Sequence, residues 1–270
     1  MVNKPGTRPT KISGLATYVP PRLLTNKDLE KMVDTTDEWI LQRTGIRERH
    51  IVDPGVATSD LAKEAALNAI AQAGLTPDDI DFIVVGTTTP DMFFPSTACL
   101  VQERLGAHHA WGYDLFAACS GFTYALTTAA QLVSAGGSRQ PASVDTIAKR
   151  MHYVKQDGQA VFKFAVRNTE EACRRILDRN GVSPDDIDLL VSHQANRRII
   201  LSAAEKLGVP EEKVVINIER FGNTTAATIP LALNDAVADK RLKRGDLLLM
   251  VSVGAGFTVG SLLLRWGLKE

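Results

Sequence analysis

The sequence predicts an α/β fold made of two related halves stacked as layers of helix and sheet. Three observations carry that prediction. Gly74 to Val84 reads GLTPDDIDFIV and Gly181 to Val191 reads GVSPDDIDLLV, the same phrase 107 positions on, 181 against 74. Each copy follows an amphipathic helical segment, EAALNAIAQAG from Glu64 or EEACRRILDRNG from Glu171, and precedes a second helix that ends in RLG at Gly106 or KLG at Gly208. The runs Phe82 to Val85 and Leu189 to Val191 are apolar without alternation, as strands buried on both faces of a parallel sheet must be. A turn of the PDDID kind recurs by chance after helices, but here the flanking helices agree as well, and a duplication explains both.

The elements follow in order. Lys11 to Tyr18 reads as an opening strand. The glycine closing each helix is a C-cap, and Thr/Ser-Pro-Asp opens the next turn. An apolar run from Trp111 to Ala118 then meets a helix over Gly121 to Ser134. In the second half the last helix, Ala226 to Val237, is followed by a buried strand, DLLLMVSV from Asp246, a glycine turn at Gly254 to Gly256 and a strand from Phe257 to Trp266. The first half has no such pair of strands after its helix, only Gly136-Gly137-Ser138 and a polar stretch. The second half has no opening strand. The halves are residues 1–138, which carry the nucleophile described below, and 139–270, with about three strands absent around Gly137. Either the chain is internally shortened or a segment of sequence is missing from it. Bare sheet edges and apolar faces would burden a truncated enzyme, which favours missing sequence.

Composition sets the class. With 44% hydrophobic and 23% charged residues, the chain can bury a large core as one domain or two intimately packed halves. Lys plus Arg and Asp plus Glu number 31 each, so no global charge recommends nucleic acid or an anionic membrane. The polar N-terminus lacks the apolar core of a signal peptide, and no stretch is long enough for a membrane span, so a cytoplasmic address is expected. Three cysteines without an export signal read as thiols. His108 and His109 are adjacent rather than a helical turn apart, and no Cys/His cluster has ligand spacing, so no metal is expected. The Gly254-Ala255-Gly256 turn allows close backbone approach but is no dinucleotide fingerprint.

Cys119 sits in YDLFAACSGFTYALTTAAQLV, at a strand-to-helix turn. A cysteine there meets the positive end of a buried helix dipole and can share backbone N–H groups, which favours the thiolate. The alternative is a small buried hydrophobe, and context alone leaves both open. Cys99 and Cys173 lie inside helices, away from strand ends, and read as core. His193 follows the strand at Leu189 to Val191, and Asn223 lies in the FGN turn before a helix. Loops of that kind converge on one face of an α/β sheet. By themselves a histidine and an asparagine there are also a structural histidine and a helix cap.

DTTDEWILQRTGIRERH (Asp34 to His50), AACSGF, SHQANRRI and FGNTTAATIP together resemble the β-ketoacyl-acyl-carrier-protein synthase III family, the initiating condensing enzymes of type II fatty-acid synthesis. The motifs occur in the family's order over nearly the whole chain. The resemblance implies a thiolase-like fold, α-β-α-β-α in layers. It implies that Cys119 takes an acyl group from acyl-CoA and surrenders it to the carbanion formed by decarboxylating malonyl carrier protein. By the same match a neutral His193 and Asn223 donate to the malonyl thioester oxygen, and the amides of Cys119 and Ala255 form the oxyanion hole for acyl transfer.

Substrate contacts are likewise implied rather than read. Trp39 stacks on the adenine of CoA and Arg43 meets its phosphate, with Thr35 and Asn196 further along the tunnel. Phe94 reaches across a homodimer into the partner's acyl pocket, where an aromatic means a short primer. Acidic carrier protein needs a local basic surface, for which Arg197, Arg198, Lys206 and Lys163 are candidates. No cofactor is implied, acyl-CoA being a substrate. The rivals are a related condensing enzyme of ketide synthesis, a thiolase, which needs a second catalytic cysteine that GAGFT lacks, a Cys-His-Asn hydrolase, and a degenerate scaffold suggested by the gap.

Overall fold

The structure is a computed structural model and describes residues 10–134, 158–254 and 258–268, with side chains from 165 onward in the helix that opens at Gly158. The apparent gap around Gly137, and Ala255, therefore lie outside the described residues.

Near the start, β1 (Leu23–Thr25) and β2 (Glu48–His50) pair antiparallel around two helices, α1 (Asn26–Leu29) and α2 (Asp37–Thr44). The repeat begins at α3 (Thr58–Gln72), followed by a 3₁₀ turn at Pro77–Asp79, β3 (Phe82–Gly86), α4 (Thr97–Leu105), β4 (Trp111–Leu115) and α5 (Gly121–Ser134). It recurs as α6 (Gly158–Asn180), a 3₁₀ turn at Pro184–Asp186, β5 (Leu189–Ser192) and α7 (Arg197–Leu207). The short α8 (Ile218–Phe221), then α9 (Thr228–Ala238), β6 (Leu247–Gly254) and β7 (Thr258–Arg265) complete the chain.

The two copies share their local chemistry as well as their order. In each, an aspartate three residues on accepts the N–H of the residue that opens the turn, Thr76 to Asp79 at 2.8 Å and Ser183 to Asp186 at 2.9 Å. Gly106 and Gly208 both close their helices in the left-handed conformation, at φ 72° and 78°, where a side chain would be strained.

In the second half, β5 pairs parallel with β6, and β6 antiparallel with β7. Leu190, Leu249 and Val251 face one way, against Cys173 and Leu177 of α6 and Ile200, Ala204 and Leu207 of α7. Leu189, Val191, Leu248 and Met250 face the other way, against Ile229, Ala232, Leu233 and Ala236 of α9. Phe122 and Leu126 of α5 pack on that same cluster, so α5 and α9 form a shared middle layer. On the far side, β3 and β4 pair parallel, and Ile83 and Val85 lie against α3 and α4. The layers run α3/α4, β3–β4, α5/α9, β5–β7, α6/α7, as the resemblance implies.

Two expectations need correction. Lys11 to Tyr18 forms no strand: Ile12 and Leu15 pack against the second-half core, but the segment finds no ladder partner among the described residues. A strand exists only through its neighbour's hydrogen bonds. Phe82 to Val85 does form a strand, but a half-buried one, unlike the fully buried β5. β5 is covered by α6 and α7 on one face and by α9 on the other.

Candidate active site

Cys119 stands where β4 gives way to α5, on a 3₁₀ turn over Ala118–Ser120. Ala118 is forced to φ 43°, a left-handed conformation that costs a non-glycine residue roughly 1–3 kcal/mol and that surrounding contacts must sustain. Those contacts come from the other half. Thr258 Oγ1 donates to Ala117 O at 3.1 Å, Thr123 Oγ1 and Ser252 Oγ lie 2.7 Å apart, and Tyr124 OH donates to Val259 O at 3.1 Å. Gly254 ends β6 so close to the turn that a Cβ there would lie 2.9 Å from Cys119 N, which only glycine permits. On the other side, the Cβ that Gly121 lacks would meet Ala226 Cβ at 3.1 Å. Cys119 is half-buried, two residues before α5 begins. Of the other thiols, Cys173 is fully buried and burial pushes it up to about 12, while Cys99 is half-buried and accepts from Ser96 Oγ at 3.1 Å.

His193 follows β5 directly, its N–H donating to Val251 O at 2.8 Å. The residue is 5% exposed, and its Nδ1 lies 2.6 Å from Thr228 Oγ1, at the start of α9. Burial pushes the imidazole down from 6.5 to about 4, so the ring is neutral at pH 7. Gln194 locks this loop: its side-chain amide donates to Ser192 O and Val215 O and accepts from Asn217 N. Asn223 is exposed, and its Oδ1 accepts Thr225 N–H at 3.0 Å, leaving Nδ2 to donate elsewhere. The stretch from Asn223 to Thr228 therefore runs from beside the Cys119 turn, at Ala226, to His193, at Thr228. Sequence reasoning singled out Cys119, His193, Asn223 and the close approach allowed at Gly254, but not Thr228 or Gln194. The signal for Thr228 was a hydroxyl at the head of an otherwise apolar helix, TIPLALNDAVA.

A pH effect on stability follows from the buried ring. The unfolded chain protonates His193 near 6.5, whereas the folded chain resists until about 4, so the unfolded state binds more protons in between. This contribution is fully present above 6.5 and is lost as pH falls toward 4, by about 3 kcal/mol in all. Urea midpoints measured from about pH 7 down to about pH 4.5 are expected to fall more steeply for the native chain than for His193→Gln. Parallel slopes would remove the effect.

The implied substrate contacts are scattered more widely. Asp34, Thr35, Thr36 and Trp39 line a shallow cleft of about 250 Å³ at the head of α2. Trp39 is 56% exposed, and the Arg43 guanidinium lies 6.0 Å from its ring centre. Asn196 is committed structurally, its Oδ1 capping α7 through Arg198 N and its Nδ2 donating to Arg43 O at 2.9 Å. Arg197 pairs with Glu211 at 3.0 Å. On α7, Arg197 and Lys206 are nine positions apart, roughly 180° around the helix, and Arg198 is roughly 80° from Lys206, so the three do not form one patch. The Lys163 side chain lies outside the described residues. Phe94 is 88% exposed. No group of three or more His, Cys, Asp or Glu among the described residues is placed to hold a metal ion, and no helix among them is long and apolar enough to cross a membrane.

The layering recurs in solved structures. That of 3-oxoacyl-[acyl-carrier-protein] synthase III from Aquifex aeolicus VF5 matches with a TM-score of 0.89 at 39% identity, over 96% of this chain and 100% of the other. The priming β-ketosynthase from the R1128 polyketide biosynthetic pathway matches with a TM-score of 0.88 at 30% identity, over 98% of both chains. The fold class is thus that of the thiolase-fold condensing enzymes.

Closer kinship is visible in sequence. The β-ketoacyl-[acyl-carrier-protein] synthase III of Solibacter usitatus (strain Ellin6076) is 46% identical, over 95% of this chain and 98% of the relative. Residues 177–266 match the family model for the 3-oxoacyl-[acyl-carrier-protein] synthase III C terminal. The chain belongs to the β-ketoacyl-[acyl-carrier-protein] synthase III family, acyltransferases that initiate fatty-acid synthesis by condensing acyl-CoA with malonyl-acyl-carrier protein through an acyl-cysteine. The Solibacter alignment spans 325 positions and this chain has 270 residues, so at least 55 positions lack a counterpart here.

Proposed function

We propose that Cys119 is the acyl-accepting nucleophile of this chain and that His193 and Asn223 stabilise the enolate. The observation that carries this reading is the buried, neutral His193, joined through Thr228 to the turn that bears Asn223 and flanks Cys119. In the first step the Cys119 thiolate attacks the acyl-CoA thioester carbonyl. A sulfur–carbon bond forms, the negative charge on oxygen meets backbone N–H groups, for which Cys119 and Ala255 are the candidates, and CoA leaves as its thiolate. In the second step malonyl carrier protein loses carbon dioxide, and the electron pair of the broken bond delocalises onto the thioester oxygen. Neutral donors suit that oxygen: a cationic histidine would surrender its proton to it, whereas a neutral N–H polarises it without quenching the carbanion. The carbanion then attacks the acyl carbonyl and Cys119 leaves as thiolate, giving 3-oxoacyl carrier protein. Electron pairs move between thioesters and side chains, so acyl-CoA enters as substrate and no cofactor or metal is invoked.

The exposed Trp39–Arg43 pair beside the α2 cleft supports the reading that CoA enters there, with Thr35 at the cleft wall. Asn196 supports α2 and would act on CoA through it. Carrier-protein docking is assigned to the basic residues of α7, Arg197, Arg198 and Lys206, with Arg198 and Lys206 roughly 80° apart on the helix. The exposure of Phe94 fits a homodimer in which it enters the partner's acyl pocket, and the soluble substrates fit a cytoplasmic enzyme.

Incubation with acetyl-CoA and malonyl carrier protein tests the whole. One acetyl group on Cys119 by peptide mass spectrometry, then carbon dioxide and 3-oxoacyl carrier protein in equal amounts, are expected. Free acid in place of the carbon–carbon bond would mean hydrolysis, and no label with either substrate would make the chain a scaffold. The likeness to the R1128 priming enzyme favours a second reading, a starter enzyme of ketide synthesis, which shares these steps and differs in which carrier protein accepts the product.

A further inference from the structure

The helix that walls the proposed CoA cleft has little apolar anchorage. Of the eight residues of α2 only Ile40 is buried, and a helix of that length is marginal in water on its own. Its place must be set by polar contacts. Asn26, the first residue of α1, is 1% exposed and reaches α2 at both ends. Its Nδ2 donates to Asp37 Oδ1, at the head of the helix, and to Ile46 O, just past the closing Gly45, each at 2.8 Å. Its Oδ1 accepts from Arg49 Nη1 at 2.9 Å, and the same nitrogen donates to Leu24 O, which ties the group to the β1–β2 pair.

These partners permit one orientation of the amide. The Asp37 carboxylate and the Ile46 carbonyl only accept, and the Arg49 guanidinium only donates, so a flipped amide would set oxygen against oxygen and N–H against N–H. Buried as it is, the amide has no water to replace a lost partner. The second half grips the tail of α2, through Asn196 Nδ2 to Arg43 O at 2.9 Å and Arg47 N to Glu219 O at 3.1 Å. The head is gripped from the first half, by Asn26 and by Glu30 Oε1, which accepts Asp37 N–H at 2.6 Å. Immediately before Asp37, Thr36 caps the helix through Trp39 N, and both belong to the cleft wall. We infer that Asn26 is a positioning residue for the nucleotide portion of acyl-CoA, clamping α2 so that Trp39 and Arg43 are held in place at the cleft. This deepens the proposed entry of CoA at α2 and rests on it, whereas the clamp itself can be observed without substrate.

The test compares acetylation of Cys119 in the full chain, followed by intact mass, from acetyl-CoA and from acetyl-pantetheine, which carries the same thioester but lacks the nucleotide. Asn26→Asp keeps the shape of the side chain and replaces its donating nitrogen with oxygen, and Asn26→Ala removes the group. In both, the half-saturating concentration of acetyl-CoA is expected to rise about tenfold at an unchanged limiting rate, with acetyl-pantetheine reacting as in the native chain. Hydrogen exchange over Asp37–Thr44 should quicken in both variants while that of α7 and α9 stays native. Equal losses with the two donors, or exchange that quickens throughout the chain, would make Asn26 a residue of general folding and overturn the inference. Native exchange over α2 in both variants would overturn it as well, as would unchanged acetyl-CoA kinetics in the Asn26 variants where Trp39→Ala weakens them. Quickened exchange confined to α2, with acetyl-CoA kinetics unchanged in the Asn26 variants and in Trp39→Ala alike, would retain the clamp and overturn CoA entry at α2 instead.

Discussion

Cys119→Ala is expected to abolish covalent capture of the acyl group while leaving the chain able to decarboxylate malonyl carrier protein. The two activities separate because they draw on different atoms. Acyl transfer needs a sulfur that forms and later breaks a bond, and no side chain elsewhere in the structure offers an equivalent: Cys173 is fully buried and held up to about 12, and Cys99 lies within α4, engaged with Ser96. Overall condensation should fall by at least about 10³-fold, the scale on which losing a nucleophile is felt. Decarboxylation needs only donors at the thioester oxygen. Intact-mass measurement after acetyl-CoA, alongside carbon dioxide release from labelled malonyl carrier protein, reads both. Acetylation that persists in Cys119→Ala would move the nucleophile to another residue.

His193→Ala is expected to give the mirror image. Acetylation of Cys119 should continue, whereas malonyl decarboxylation should fall about 10²- to 10³-fold, as the removal of a preorganised oxyanion donor does elsewhere. The buried ring makes a further distinction possible. Because His193 stays neutral down to about pH 4, native decarboxylation should be flat across the range where an ordinary histidine titrates. A step near pH 6.5 would mean that the ring is solvated in the working enzyme. Equal losses of acetylation and decarboxylation would assign His193 to both steps or to folding, and the urea midpoint of the variant tells these apart.

Much of the architecture was legible because it is written in local terms. The paired PDDI turns, the capping glycines and the apolar run of β5 are contiguous, and each was placed correctly. The turn bearing Cys119 was legible for the same reason, as an apolar run entering an apolar helix. The opening strand at Lys11 to Tyr18 was misread because strands are not local: its composition suits a sheet, but its ladder partner is absent from the described residues. β3 is half-buried where the apolar run implied full burial. At the site, what escaped was contact at long range. Thr228 meets His193 from 35 positions away, and Gly254 approaches Cys119 from the far end of β6, and neither leaves a periodic trace. Asn196, singled out as a substrate contact, also caps α7 and holds α2, contacts that leave no sign in the sequence.

The hydrogen bonds that bind the Cys119 turn to β6 and β7 join residues 129 to 141 positions apart. Closing loops of that length is slow compared with forming α5 or α9, so these contacts belong to the late stages of folding. Until they close, nothing outside the turn sustains the left-handed Ala118, and the turn is free to relax. On the proposed reading, the turn that presents the cysteine takes its final shape only when these contacts to β6 and β7 close. A chain that folds one half and fails at the other would carry the sulfur without its chemistry.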